Sequence, residues 1–155
     1  MSMYSSIEVS ASGLSAERVA MDTIANNLAN VNTTRTPEGG AFKRQLVIFS
    51  QKADSNAGAA FEPFDPFDPT GSDAINKSQA GVQVVGITND TGPDRLVYDP
   101  THPDADANGY VHMPNIDVVK ERVDMIAASR AYQANVTAIQ ESRNMVNAAL
   151  NLLKS

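Results

Sequence analysis

Two ladders of apolar residues spaced seven apart, one at each end of the chain, constrain its fold most strongly. Ile7, Leu14, Met21 and Leu28 form the first, and Val118, Met125, Tyr132, Ile139, Val146 and Leu153 the second. A period of seven holds one stripe of a helix against a neighbouring helix, the pattern of coiled-coil packing. Ile24 and Val31 add a second row near the start, with Ala11 and Ala25 beside it, and Val136 and Leu150 widen the stripe near the end. The spacing predicts one helix over residues 4–32, stopped by Pro37 and the glycines behind it, and a longer one over 116–153. Asn115 is the expected N-cap of the second helix, with Asp117 in its first turn.

The stripes are narrow. Arg18 and Asn32 in one helix, and Arg122, Ser129 and Arg143 in the other, occupy intermediate rungs. Polar groups at a helix seam fix register and partner at some cost in stability. Burying a large apolar side chain stabilises by about 1.5–3 kcal/mol, whereas fixing each backbone costs about 1–2 kcal/mol. The four rungs of the first ladder do not offset that cost alone. The expectation is that both ends order fully only on assembly with further helices.

Between the helices the pattern changes. Phe42–Phe49, Val82–Thr88 and Asp94–Asp99 read as strands, and Tyr110–Met113 as a short extended piece. Residues 53–81 lose apolar periodicity and read as a flexible excursion. Within it, Phe61, Phe64 and Phe67 recur in a Phe-acid-Pro repeat, either a docking strip or a variable surface loop. The fold class expected is mainly α with a small β unit. The terminal segments 1–35 and 115–155 would form a coiled-coil-like inner layer, and 36–114 an outer β-rich unit.

Charge follows the same division. Residues 36–116 hold eleven acidic and five basic groups, while both terminal segments are within one charge of neutrality, so like helices do not repel one another. No basic stripe is present to neutralise phosphates, which argues against nucleic-acid binding. No apolar run approaches a membrane span, and no basic stretch followed by an apolar one suggests a cleaved secretory signal. The absence of Cys excludes disulfides, thiolate metal sites and thiol nucleophiles together.

Candidate chemistry is sparse. Asp104, Asp106, Asn108 and Gly109 imitate the first half of an EF-hand calcium loop, but Asn115 stands where a bidentate Glu is needed, and Pro100 and Pro103 preclude the incoming helix. His102 and His112 have no helical ligand spacing and read as loop histidines. No nucleophile elbow or phosphate-cradling loop occurs. The chain is read as a non-enzyme with no cofactor, metal or small-molecule substrate.

Two longer stretches carry a resemblance. Ser12–Ala16 with Met21–Thr34 (MDTIANNLANVNTT), and Val123–Asn135 (VDMIAASRAYQAN), are similar to the N- and C-terminal signatures of bacterial flagellar axial proteins, the rod and hook family. Arg35–Gly40, Gly81–Ile87 and Leu96–Asp106 resemble its short proximal rod subunits; the alternative is a neighbouring rod subunit. The resemblance spans about residues 5–50 and 81–153. It implies a structural role in the drive shaft that crosses the periplasm. It also implies export through the flagellar type III apparatus without a cleaved signal. The partners implied are copies of the chain, other rod subunits, and the inner-membrane ring and export-gate proteins at the rod base. The candidate interface comprises Ile7, Leu14, Met21, Ile24, Leu28, Val31, Val118, Met125, Tyr132, Val136, Ile139, Val146, Leu150 and Leu153.

Overall fold

A computed structural model describes residues 3–52 and 81–154. The Phe-Pro repeat lies outside the described residues, as does the side chain of Leu153. Helix α1 spans Met3–Ala29 and α2 spans Val118–Lys154; between them run strands β1 (Gln45–Gln51), β2 (Val82–Asn89), β3 (Arg95–Tyr98) and β4 (Tyr110–Met113). The two long helices pack along each other, and two antiparallel hairpins, β1–β2 and β3–β4, fill the interval. The expected class, a helix pair with small β elements between its members, is the fold observed.

Helix α1 ends three residues earlier than expected. The Asn30 side chain turns back to donate to the Asn26 carbonyl at 2.9 Å, and the Thr33 amide donates to the Asn30 carbonyl at 3.1 Å. Asn offers the backbone this local alternative to a further helical turn. Val31 therefore lies in a turn, not in the helical row where its spacing placed it. A second turn at 36–40 closes through a 2.9 Å bond from the Thr36 amide to the Gly40 carbonyl, and Gly39 and Gly40 supply the positive φ it requires.

The first strand starts at Gln45 rather than Phe42, because the preceding residues are committed elsewhere. The Phe42 amide donates to the Thr33 carbonyl, and the Arg44 side chain reaches into the helix pair. The hairpin then follows α1 in the opposite direction, with Gln45 beside Asn27 and Lys52 beside Glu8. Opposite Ile48 and Phe49, β2 carries one extra residue, Val85, a bulge that leaves its side chain in solvent. At the open end of the hairpin the Lys52 amide donates to the Gly81 carbonyl at 3.0 Å, and the Val82 amide donates to Ser12 Oγ at 3.0 Å. Gly81 has φ +72°, and any side chain there would run into Ser12.

The second hairpin is held to the rest of the chain by side chains: Lys43 Nζ meets Asp94 at 2.5 Å and Thr34 Oγ1 donates to Asp104 at 2.8 Å. The calcium-like loop thus spends its Asp104 carboxylate on Thr34, and Asp106 faces His112 at 3.6 Å. His102 and His112 stay at the surface of this unit as expected, although His112 belongs to β4 rather than to a loop. From β4 the chain passes through buried Pro114 and Ile116 into α2. Asp117, not Asn115, caps this helix: its Oδ1 accepts from the amides of Val119 (2.8 Å) and Lys120 (3.3 Å).

Candidate functional site

The surface of interest is the seam between α1 and α2, together with the helix faces it leaves open. In α1 the buried row is Ala16, Ala20, Thr23 and Asn27, at alternating steps of four and three. In α2 it is Glu121, Ala128 and Ser142, with half-buried Asn135 completing a spacing of seven. These rows are small or polar, which lets the helix backbones approach closely. Gly13 lies at one close point, where an added Cβ would be 2.8 Å from Asn135 Nδ2. The buried hydroxyls stay satisfied by bonding back to their own helices, Thr23 to the Val19 carbonyl and Ser142 to the Ala138 carbonyl, both at 2.9 Å.

One end of the seam holds a polar clasp. Glu121, 1% exposed, receives Arg44 Nε on one oxygen at 2.6 Å and Asn27 Nδ2 on the other at 3.1 Å. Asn27, also 1% exposed, grips the first residue of β1 from both sides. Its Oδ1 accepts from the Gln45 amide at 2.9 Å, and its Nδ2 donates to the Gln45 carbonyl at 2.9 Å. Arg44 reaches on to Asp124 at 3.5 Å. The end of α1, the start of β1 and the first turn of α2 are thereby fastened at one point. Among the described residues no buried side-chain nitrogen or oxygen lacks a hydrogen-bond partner.

The apolar ladders flank this seam rather than fill it. Ile7, Leu14, Met21, Ile24 and Leu28 of α1, and Val118, Met125, Tyr132, Val136, Ile139 and Val146 of α2, are all half-buried; Leu150 is exposed. The polar residues expected on intermediate rungs do not line the seam: Arg18, Asn32, Arg122 and Arg143 are exposed, and only Ser129 is partly covered. Ala11 and Ala25 are also exposed. Further apolar side chains of α2 are mostly exposed. Val119 is 71% exposed, and Val123 and Ile126 continue the same face.

The two buried rows and Arg44 were missed from the sequence. The α2 row repeats at seven (Glu121, Ala128, Asn135, Ser142) three residues on from the apolar ladder, but small and polar residues give no hydropathy signal. Arg44 joins Glu121 across 77 residues, and no local pattern announces such a pairing.

Residues 7–35 match the family model for flagella basal body rod proteins, and residues 107–152 the model for the C-terminal part of flagellar basal body rod FlgEFG proteins. These two matches cover α1 and α2 and define the class, a flagellar rod protein whose terminal helices form one unit. The flagellar basal-body rod protein FlgC of Borreliella burgdorferi is 44% identical over 158 aligned positions, covering 99% of each chain. Those of Bacillus subtilis and Salmonella typhimurium are 40% and 34% identical, each aligned over at least 98% of both chains. The chain belongs to the FlgC family of flagellar basal-body rod proteins, which are structural and not enzymes. No helix among the described residues is long and apolar enough to cross a membrane.

Proposed function

We propose that this chain is a structural subunit of the proximal rod, building the torque-transmitting shaft with copies of itself and other rod subunits through its paired terminal helices. The supporting observation is how little apolar surface one copy buries. Among the described residues the buried apolar side chains are Ala16, Ala20, Ala41, Val111, Pro114, Ile116 and Ala128, four of them alanine. The larger aliphatic residues of both helices whose side chains are described remain half-exposed or exposed, an arrangement suited to helices that share their apolar surface with neighbours.

On this reading the ladder residues form the inner helical layer and the β hairpins its outer face, and the ends of the chain gain full order on assembly. At the rod base the neighbours would be the inner-membrane ring and export-gate proteins, with delivery by the flagellar type III apparatus. The experiment is a strain carrying Ile126→Asp and Val119→Asp, scored for motility and for rods in purified basal bodies. Both positions are exposed in the single chain, so the variant protein should fold and be exported yet build no rod. Normal swimming would overturn the proposal.

A further inference from the structure

The heptad pattern that pairs α1 with α2 leaves an ambiguity that the structure resolves. A ladder with period seven meets an equivalent ladder again after a slip of seven residues, so apolar contacts alone accept several registers. In the observed register Asn27 bonds Glu121, and Gly13 lies beneath Asn135. The two α1 residues are two heptads apart, as are the two α2 residues, so both contacts report one antiparallel alignment.

We propose that the Asn27–Glu121–Arg44 clasp and the Gly13–Asn135 contact act as paired register locks, selecting this alignment over its heptad-related alternatives and so fixing how far α2 projects beyond α1. A slip of one heptad in one direction sets Glu121 opposite Thr34, beyond the end of α1, and Asn135 over Ala20, whose Cβ occupies the space Gly13 leaves open. In the other direction Glu121 faces Ala20, and its buried carboxylate loses Asn27. Either slip thus separates a buried charge from its partners, and one also forces the Asn135 side chain aside, while the apolar rungs still meet. Such costs fall only on wrong registers, as with single polar residues at coiled-coil seams.

The selected register places Met145 level with Met3, so residues 146–154 extend about 13 Å past the described start of α1, with Leu150 exposed on that projection. A slip of one heptad would lengthen or shorten the projection by about 10 Å. What the projection offers a neighbouring subunit rests on the rod reading above; the register lock itself does not.

The test uses the absence of native Cys. Spin labels on single cysteines at exposed Asp22 and Arg143 lie about 25 Å apart along the axis in the observed register. That separation becomes about 15 or 36 Å after a one-heptad slip. The full chain should give one distance population near the first value. The Arg44→Met, Glu121→Leu, Asn135→Ala variant, which replaces the clasp by apolar volume and removes the steric lock, should stay helical by circular dichroism and split into two or more populations. A single unshifted population in the variant would overturn the proposal. Loss of helix would do so too, since the locks would then supply stability rather than choice. These measurements are made on isolated protein, so a failure here is separate from a failure of rod assembly.

Discussion

Arg44 Nε lies 2.6 Å from Glu121 Oε1, and the carboxylate it meets is almost entirely out of solvent between the end of α1 and the first turn of α2. Burying an ion pair is seldom stabilising in itself, because desolvation offsets the attraction, but removing one member leaves the other charged and buried. Arg44→Ala should lower unfolding free energy by about 3–5 kcal/mol. Arg44→Met with Glu121→Leu should recover most of that loss. Urea titrations followed at 222 nm measure both. A double variant as weak as the single would show that the pair itself, and not the stranded charge, matters.

Gly13 is the second point where the seam permits little change. In an open helix Gly→Ala would stabilise by up to about 1 kcal/mol, but here the new Cβ meets Asn135. The atoms met are the flexible end of that side chain, so Gly13→Ala should forfeit that gain and destabilise by no more than about 1 kcal/mol, the low end of what overpacking costs. In an Asn135→Ala background the same change should become neutral or stabilising. A double-mutant cycle reads the coupling directly; additive effects would show that the helices move apart without cost.

The start of α2 depends on Asp117, whose carboxylate accepts from two first-turn amides. Asp117→Ala should cost about 0.5–2 kcal/mol, and Asp117→Ser or Asn much less. Asn115→Ala should leave the cap intact. Thermal unfolding of the three variants separates the two candidate caps.

Leu14 and Ile139 are only half-buried within one chain. Truncation to Ala should cost well under the roughly 2–5 kcal/mol of a fully buried site when isolated protein is unfolded. Assembly should be affected far more, with export preserved and rods absent from purified basal bodies. Equal effects on the isolated chain and on the rod would place both residues in the intramolecular core.

Asp99 gives a pH-dependent expectation at the second hairpin. The Thr101 hydroxyl donates to its carboxylate at 2.6 Å and the Thr101 amide at 3.1 Å, holding its pKa below the ordinary value of 3.8. Because the folded pKa is the lower one, the resulting stabilisation is present above the unfolded value and is lost as pH falls through the folded one. Thr101→Val should return the Asp99 carboxyl towards its ordinary titration by NMR. An unchanged titration would rule out the hydroxyl as the cause.

The long-period features of this fold were legible in the sequence and its local chemistry was partly so. Seven-residue spacing located both helices because it repeats many times, and β-branched and aromatic runs located three strands and a short extended piece within a few residues. The helix ends were displaced where one side chain, Asn30 or Asp117, decided the outcome by a hydrogen bond that propensity does not encode. The small-residue rows of the seam were illegible for a different reason. Large apolar residues mark where a helix avoids water, but the seam is lined by Gly13, Ala16 and Ala20, whose value lies in what they lack. The clasp was out of reach because Asn27, Arg44 and Glu121 become neighbours only after the chain has turned back on itself.

The bond from the Lys52 amide to the Gly81 carbonyl brings entry and exit of the intervening stretch to a single doorway on the flank of α1. Those two residues are tied to each other by backbone, and to α1 through Ser12, independently of the seam between the two helices. A change in the number of residues between Lys52 and Gly81 would therefore leave the hairpin register and the helix pair as they are.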